Sequence, residues 1–402
     1  MKEVLEKIRP TEEERKAVKK VISACTGILK DRVKERELHA EVTLQGSMAK
    51  DTWISGDRNV DMFLIFSHDY SEKELKQYGL EIGVLGDHEI AYAEHPYVRN
   101  FVEGYEVDVV PAYTFREGIR SSVDRTPLHT EYVLTHLTDK DQVRLLKKFT
   151  RSIAVYGSDL KVQGLSGYLC ELLVIKYGTF FQVLENMSTI KPGECLYLEM
   201  PPSREFTEPL VFVDPVDPER NVAAVVSLEN LARLVHHARE FLKNPEPSQF
   251  FREPESYKRI SGTELYRIDF QLDVIDDILF PQLRKTRDYM VKMLEHHGFR
   301  VFNTAVFGRG ILIELSVFAL PPSKKHLGPP VYEKEHCERF LQKHAMAGVD
   351  RDRIYAVIDR KYVRAGDLLR DLLKNRQGFG KDLISAQAAI TLVSGNVSEC
   401  VY

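Results

Sequence analysis

Three segments of the chain carry residues that together could perform chemistry on a triphosphate. Gly46-Ser47 is followed by an acid at Asp61 and by another at Asp108. A glycine lets the backbone approach phosphates closely, and Ser47 adds a hydroxyl at the start of a short helix. Carboxylate oxygens bind Mg²⁺, and two such ions ~3.5–4 Å apart stabilise an attacking hydroxyl and a leaving pyrophosphate. Each segment alone also reads as a common turn or a solvated acid, so the prediction depends on their combination.

Two predicted strands must position these acids. Residues 59–66 begin polar and become wholly apolar, as in a buried strand, and residues 105–110 behave similarly and are predicted to stop at Pro111. Residues two apart on a strand share a face, so positions 59 and 61 project together. Asp108 on a neighbouring strand would then complete an oxygen cage for a metal ion.

The rest of the pattern predicts a mixed first 140 residues followed by a more helical middle region. Thr11 and Glu14 form a capping box for a first helix, and Ser227 is predicted to cap a later one. Asn244-Pro245-Glu246-Pro247 ends that later helix and marks a possible domain boundary. Further predicted elements include strands at 38–45 and 210–213 and a helical run at 166–180. Short or connecting helices are predicted at 48–53, 73–85, 333–344 and 365–374, a long helix at 276–297, a hairpin at 299–318 and a basic loop at 321–326.

Charge is unevenly distributed along the chain. The net charge is −4, but residues 281–402 hold 20 Lys and Arg against 13 Asp and Glu, so this part carries +7 and the first 280 residues carry −11. A basic arm beside an acidic front portion is typical of a protein that binds a polyanion. A surface of alternating solvated charges is the alternative interpretation.

Composition excludes several classes of protein. With 43% hydrophobic and 29% charged residues, the chain is neither disordered nor fibrous. No apolar run of about 18 residues predicts a membrane span, and the first seven residues lack the apolar segment of a signal peptide. Five scattered cysteines without a CxxC pair argue against a disulfide framework or a zinc knuckle. We therefore expect a cytoplasmic protein.

The chain resembles the archaeal, class I CCA-adding enzymes, which are tRNA nucleotidyltransferases of the polymerase-β-like superfamily. The glycine-serine motif and the acids alone indicate only the superfamily, and later motifs specify this branch. The segments that carry the resemblance are 46–53, 61–66, 106–111, 124–129, 164–173, 214–217, 220–224 and 326–331. The resemblance implies an α+β fold: a polymerase-β-like catalytic head with a small mixed sheet at 1–140, a helical and mixed base-recognition domain at 141–257, and an α+β tRNA-binding domain at 258–402.

The resemblance also implies roles for individual residues. Asp61, Asp108 and the residue at position 59 are the catalytic and metal-binding set, with Mg²⁺ as the cofactor. Arg220 matches the arginine that helps to read the base edges of CTP and ATP, a task that suits a planar guanidinium. The nucleotide-binding residues are completed by Gly46, Ser47 and Lys50 at the phosphates, Thr126 and His129 beside the incoming nucleotide, and Lys147 and Tyr156 as further phosphate and sugar contacts.

The implied partners are tRNA, CTP and ATP. The basic C-terminal part would hold the acceptor arm through phosphate and 2′-hydroxyl contacts, which need shape more than sequence. Lys324, Lys325, Lys361 and Arg364 are the candidate tRNA-binding residues. The family also suggests a homodimer, for which the chain gives no independent sign.

Asn59 departs from the family pattern, which has an acid at this position. An amide can lend one carbonyl oxygen to a metal ion but adds no negative charge, so Mg²⁺ would be held less tightly. The alternatives are that Asp57, of the same strand parity, compensates, or that Asn59 is a natural or an introduced change that lowers or abolishes activity. We predict that nucleotide addition is weakened or absent.

Two other functions remain open at this point. A related nucleotidyltransferase that adds only adenylate would share the head but not the later motifs. A catalytically inactive form would bind tRNA and nucleotide without chemistry. The principal prediction is template-independent addition of C, C and A to the 3′ end of tRNA, with release of pyrophosphate.

Overall fold

The computed structural model describes residues 1–92, 96–115, 120–252 and 256–400. The chain forms two compact units, Met1–Glu253 and Pro254–Tyr402. Helices and small sheets are mixed in both units, which confirms the predicted α+β class. In the described part of the chain, no helix is both long and apolar enough to cross a bilayer.

The first unit begins with a sheet that has two helices on one face. Its strands lie in the order β1-β2-β5-β4-β3; β2 and β5 are parallel, and the other neighbours are antiparallel. Val60 and Met62 of β2 are buried in a core to which α2 and α4 contribute. The elements are α1 (Lys2–Ile8), α2 (Glu12–Glu35), β1 (Ala40–Gln45), α3 (Gly46–Lys50), β2 (Asn59–Phe66), α4 (Glu72–Gly83), β3 (His88–Tyr92), β4 (Pro96–Val102), β5 (Tyr105–Tyr113) and α5 (Thr126–His136).

Two local predictions in this region are wrong. The short helix starts at Gly46, before the predicted segment, and ends at Lys50. Strand β5 continues through Pro111 to Tyr113. The backbone N–H of Glu106 donates to the carbonyl of Arg58, just before β2, and that of Thr114 to the carbonyl of Phe66 in β2. The alternate nitrogens, including that of Pro111, therefore face the β4 side. The pairing of β4 with β5 has already ended at Val109, so Pro111 removes no ladder hydrogen bond.

The remainder of the first unit is mainly helical. Phe149, Phe180, Phe241 and Phe250 pack together with ring centroids 5.4–5.9 Å apart at the centre of its core. Val4 and Ile8 of α1 belong to this second core. The elements are α6 (Lys140–Ser152), α7 (Gly167–Tyr177), α8 (Phe180–Met187), β6 (Glu194–Leu196), β7 (Leu210–Asp214), β8 (Asp217–Asn221) and α9 (Leu228–Lys243), which Ser227 caps as predicted.

The second unit packs α10 and α12 against a sheet of order β11-β12-β10-β16. The predicted long helix and hairpin are confirmed. A second sheet has the order β13-β15-β14, and β9 pairs with β17. The elements are β9 (Ser256–Tyr257), β10 (Glu264–Gln271), α10 (Asp276–His296), β11 (Arg300–Phe307), β12 (Gly310–Val317), β13 (Ser323–Pro330), α11 (Lys334–Leu341), β14 (Gly348–Asp350), β15 (Arg353–Asp359), α12 (Ala365–Asn375), β16 (Gln387–Val393) and β17 (Val397–Cys400).

The predicted basic loop at 321–326 is wrong, because residues from Ser323 onward form strand β13. Antiparallel pairing with β15 places Lys324 opposite Ile358 and Lys325 opposite Val357. Successive residues of a strand point to opposite faces. The two lysines therefore lie on opposite sides of this sheet and do not form one continuous basic patch.

Candidate active site

Strand pairing brings the predicted acids together on one face of the first sheet. In the parallel register of β2 and β5, Asp61 lies opposite Asp108 and Asn59 lies opposite Glu106. Alternation along each strand puts all four side chains on the face away from the Val60 and Met62 core. We call this set of Asn59, Asp61, Glu106 and Asp108 the carboxylate face. Burial, and then the Asp108 carboxylate, raise the pKa of Asp61 above its ordinary value.

Gly46 sits against this face so closely that no other residue fits without rearrangement. A Cβ added at Gly46 would lie 1.8 Å from Oδ2 of Asp61, and the backbone has φ +68°. Both facts require glycine, since L residues rarely adopt that φ and a Cβ would overlap the carboxylate. The glycine-serine turn thus brings the backbone directly beside Asp61.

Arg99 of β4 adds a positive charge to the carboxylate face. Its Nε and Nη2 donate to the two oxygens of Asp108 at 2.8 and 3.0 Å, and Nη2 also donates to Tyr97 Oη at 3.0 Å. The hydrogen bond to Asp108 raises the pKa of Arg99, so the guanidinium stays charged. Asn59 Nδ2 donates to Glu106 Oε2 at 3.0 Å.

Asp57, considered from sequence as a substitute for the missing acid, is engaged elsewhere. Its carboxylate accepts hydrogen bonds from Arg151 Nη1 at 2.7 Å and from the backbone N–H of Ile54 at 3.0 Å. Asp57 lies in the turn before β2 and is held toward α6 by this ion pair. The structure therefore gives no support to compensation by Asp57.

Two of the predicted phosphate-binding lysines meet at a buried carboxylate that was not predicted as a site residue. Lys50 Nζ lies 2.5 Å from Oε2 of Glu171, and Lys147 Nζ lies 3.5 Å from Oε1. Thr52 donates its hydroxyl to Glu171 and accepts from Lys147. Burial alone would raise the pKa of Glu171, but Lys50 and Lys147 outweigh it and the pKa is lowered. We call these four residues the lysine cluster.

Tyr156 lies next to the lysine cluster. A Cβ added at Gly167, at the start of α7, would lie 3.1 Å from Oη of Tyr156 and 3.5 Å from Nζ of Lys147. Lys148, the residue after Lys147, has its Nζ 4.8 Å from the centroid of the Phe251 ring. Ser47 is half-buried in α3.

A third group gathers around Asp214, which is fully buried at the end of β7. Its carboxylate accepts hydrogen bonds from His129 Nε2 at 2.9 Å, Arg220 Nη1 at 2.7 Å and Tyr168 Oη at 3.2 Å. The His129 and Tyr168 rings stack with centroids 4.1 Å apart, and Lys50 Nζ lies 5.7 Å from the Tyr168 ring. The Asp214 group therefore adjoins the lysine cluster through Lys50 and Tyr168.

Arg220 also lines an open cleft of about 710 Å³. Arg125, Ser166, Arg204 and Asp217 are among the other residues of its wall. Arg125 Nε donates to Asp217 at 2.7 Å. The next residue, Thr126, begins α5, the helix that carries His129.

The four predicted tRNA-binding cations lie on the surface of the second unit. Lys325 pairs with Asp350 at 2.5 Å and lies 4.2 Å from the Tyr355 ring centroid. Lys361 pairs with Asp371 at 3.3 Å, and Arg364 approaches Glu264 at 4.0 Å. Lys324 is exposed on the opposite face of β13 from Lys325.

Sequence reasoning missed Glu106, Arg99, Glu171, Tyr168 and Asp214 as site residues. A usable signal existed for Glu106, which lies two residues before Asp108 and so shares its face. Arg99 gave no such signal, because strand β4 was not predicted. Glu171, Tyr168 and Asp214 stood inside motifs that identified the family but carried no assigned role.

A histidine pair in α9, His236 and His237, has an acidic residue one turn further along the helix. His236, His237 and Glu240 place potential ligand atoms within 4.8 Å of one another. However, Arg252 Nη1 lies 2.8 Å from His237 Nδ1, and His236 is largely exposed. Exposed acidic groups of this kind are common without a metal ion, so we assign no metal site to this cluster.

The donor set of the carboxylate face fits a hard divalent cation. Its carboxylates and the Asn59 amide supply the oxygen ligands that Mg²⁺ prefers. Gln45 lies opposite Asp61 in the register of β1 and β2 and is 4% exposed. Its Oε1 has no hydrogen-bond donor among the described residues, which leaves a buried acceptor beside Asp61. Oxygen donors and a spare buried acceptor are compatible with a hydrated cation.

Comparisons with known proteins define the class of the chain. Residues 27–129 match the nucleotidyltransferase domain, 141–252 the second domain of tRNA nucleotidyltransferase, and 261–395 the C-terminal domain of CCA-adding enzyme. Among solved structures, the Cid1 poly(U) polymerase aligns with a TM-score of 0.49 and 15% identity over 62% of this chain and 96% of that chain.

Full-length relatives identify the family. The CCA-adding enzyme of Methanothermobacter thermautotrophicus is 39% identical over 95% of this chain and 92% of its own length. Those of Halobacterium salinarum and Pyrococcus abyssi are 40% and 38% identical over 88% and 98% of this chain, and 81% and 94% of their own lengths. The chain is thus a nucleotidyltransferase of the tRNA-processing class. It belongs to the CCA-adding enzymes, which confirms the resemblance drawn from the motifs.

Proposed function

We propose that this chain adds C, C and A in turn to the 3′ end of tRNA, using CTP and ATP without a nucleic-acid template and releasing pyrophosphate. The observation that carries the proposal is the register of β2 and β5, which sets Asp61 opposite Asp108 beside the close approach of Gly46. Membership of the CCA-adding family supplies the tRNA context.

The carboxylate face would hold Mg²⁺ through Asp61, Asp108 and an oxygen of Asn59. When bound there, a pair of Mg²⁺ ions would supply a lowered pKa at the primer 3′-hydroxyl and partial neutralisation of the triphosphate charge. Asn59 contributes no charge of its own, and whether this weakens addition is tested by comparison with Asn59→Asp. Because Gly46 has no side chain, its backbone lies beside Asp61 and would be within reach of the triphosphate.

The lysine cluster and the Asp214 group would bind and orient the nucleotide. Lys50 and Lys147 give one net positive charge when both are paired with Glu171, which suits a triphosphate, and Ser47 and Tyr156 would add hydroxyl contacts. Thr126 and His129 would lie beside the nucleotide. Arg220, held at one end by Asp214, would present its donors to the base edge in the cleft.

The second unit would bind the acceptor arm of the tRNA through exposed cations, including Lys324, Lys325, Lys361 and Arg364. Because the phosphate contacts are electrostatic, this binding should weaken as salt rises. We further propose that the chain acts in the cytoplasm as a homodimer. Sedimentation of the purified protein at several concentrations would test the dimer.

A primer-extension assay separates this function from its two rivals. A tRNA that lacks its 3′ CCA is incubated with Mg²⁺ and labelled CTP, ATP or both, using the parent chain, Asn59→Asp and Asp108→Asn. Addition of two C residues and then A by the parent, lost in Asp108→Asn, supports the proposal. Addition of A alone would indicate an adenylyl-only enzyme. Binding of tRNA without product from both the parent and Asn59→Asp would indicate a non-catalytic form.

A further inference from the structure

The carboxylate face holds an acid that the expected metal-binding set does not include. Glu106 lies two residues before Asp108 on β5 and directly opposite Asn59 of β2. Its Oε2 accepts the hydrogen bond from Asn59 Nδ2 at 3.0 Å. The position that lacks an acid on one strand therefore has one across from it on the neighbouring strand.

The position of Arg99 shows that Glu106 and Asp108 converge on one cation. Arg99 Nε lies 2.8 Å from Asp108 Oδ1 and 3.9 Å from Glu106 Oε2, and its Nη1 lies 3.8 Å from Glu89 on β3. One positively charged group thus approaches both β5 carboxylates within 4 Å. A second cation drawn to Asp108 would meet the field of Glu106 as well.

We propose that Glu106 supplies to the metal site the negative charge that Asn59 lacks, and that Asn59 is a positioning residue that holds the Glu106 carboxylate. This inference rests on the proposed function, because it assumes a divalent cation at Asp61 and Asp108. With Asp61, Glu106 and Asp108 ionised, the face carries three negative charges, as many as a set with an acid at position 59 and a neutral residue at position 106.

The pairing also explains why an amide suits position 59 in this chain. Two like charges in close contact repel each other. An acid at position 59 would face Glu106 across a 3.0 Å contact that now joins a donor to an acceptor. Adding Asp at position 59 would therefore introduce repulsion together with the extra ligand.

Direct measurement of metal binding tests the inference without a catalytic assay. Mn²⁺ is titrated into the full chain, and free Mn²⁺ is followed by electron paramagnetic resonance, for the parent, Glu106→Gln, Asn59→Asp and the double variant. Glu89→Gln is the matched control, because it removes an acid at a similar distance from Arg99 but on β3. Emission of Trp53, the single tryptophan, checks that each variant folds.

We expect Glu106→Gln to weaken Mn²⁺ binding at least tenfold and Glu89→Gln to change it less than twofold. Asn59→Asp alone should tighten binding less than threefold, while the same change in the Glu106→Gln background should restore most of the loss. Parent-like binding by Glu106→Gln would overturn the inference. A tenfold gain from Asn59→Asp alone would also overturn it, and this variant keeps the test decisive if Glu106→Gln does not fold.

Asp108→Asn separates failure of this inference from failure of the proposed function. If Asp108→Asn binds Mn²⁺ as tightly as the parent, the metal does not occupy the carboxylate face, and the proposed metal site and this inference fall together. If Asp108→Asn loses binding but Glu106→Gln does not, only the role of Glu106 is wrong.

Discussion

Two lysine–carboxylate pairs in this protein have the same N–O distance and opposite surroundings. Lys50 and Glu171 lie 2.5 Å apart in the first unit, with side chains 7% and 1% exposed. Lys325 and Asp350 also lie 2.5 Å apart, in the second unit, with side chains 45% and 43% exposed. The first pair belongs to the candidate nucleotide site, and the second to the candidate tRNA surface.

Because one pair is buried and the other is exposed, we expect the two lysines to differ in how readily they leave their carboxylate partners. A buried charge that loses its partner has no water to replace it, so the buried pair holds fixed positions. An exposed pair is worth at most about 1 kcal/mol, and its members exchange readily with solvent. In the proposed function, Lys325 would therefore be able to leave Asp350 for an RNA phosphate, whereas a triphosphate would have to approach Lys50 while Glu171 still holds it.

The largest expected effect comes from removing the buried carboxylate. Glu171→Gln leaves Lys50 and Lys147 buried without a counter-charge, which should lower the free energy of unfolding by about 3–5 kcal/mol. Urea unfolding followed by the emission of Trp53, which is buried in the first unit, measures this change.

Asp350→Asn is the matched change at the exposed pair. Urea unfolding followed by far-UV circular dichroism should show that this variant loses no more than about 0.5 kcal/mol in the free energy of unfolding. Equal losses from Glu171→Gln and Asp350→Asn would show that burial does not distinguish the pairs.

Asp214→Asn tests the same principle at a buried carboxylate that holds Arg220, a residue of the cleft wall. It replaces a charged acceptor for His129, Tyr168 and Arg220, so we expect a loss of about 2 kcal/mol in stability. Because Arg220 loses its anchor, kcat/KM for CTP and ATP should fall more than tRNA affinity does. Glu219→Gln, at an exposed acid of the same cleft, is the control. A similar loss of kcat/KM in both variants would argue against orientation of Arg220 by Asp214.

His129 makes the stability of the first unit depend on pH. Burial, aided by Arg220 and Lys50, lowers the pKa of His129 below its ordinary 6.5, although its hydrogen bond to Asp214 opposes the shift. The unfolded chain therefore takes up this proton at a higher pH than the folded chain does. The contribution of His129 to the free energy of unfolding is therefore complete above pH 6.5. Below that pH it decreases by at most about 1.4 kcal/mol per pH unit.

Unfolding at pH 7.5 and 5.5, followed by Trp53 emission, measures this dependence. His129→Gln should reduce the difference in the free energy of unfolding between pH 7.5 and pH 5.5. His236→Gln, at an exposed histidine, should leave this difference unchanged. A parent-like difference in His129→Gln would contradict the assignment.

The sequence was sufficient for features that depend on local patterns. The Thr11 and Glu14 capping box, the strand at 59–66 and the long helix at 276–297 needed only the periodicity and end signals of each segment. The family motifs then placed Asp61 and Asp108 in one site before their strands could be paired.

Features that depend on which strands are neighbours could not be predicted in the same way. Arg99 reaches Asp108 only because β4 lies beside β5, and β4 has no strong strand signal. Asn59 looked like a simple loss of charge because its pairing with Glu106 requires the parallel register. Lys324 and Lys325 looked like one patch because a loop does not alternate faces, whereas β13 does.

The smallest predicted effect concerns the exposed pair itself. Lys325→Met removes one candidate phosphate contact, so tRNA affinity near 0.1 M salt should fall about two- to fivefold, and the slope of log K against log salt concentration should decrease by about 0.7–0.9. Stability should change by less than about 0.5 kcal/mol, because the pair with Asp350 is exposed. Lys20→Met, at an exposed lysine of the first unit that pairs with Glu103, is the control and should leave the slope unchanged. An unchanged slope in Lys325→Met would mean that this lysine remains with Asp350 when tRNA binds, and the contrast between an exchangeable and a fixed pair would not hold.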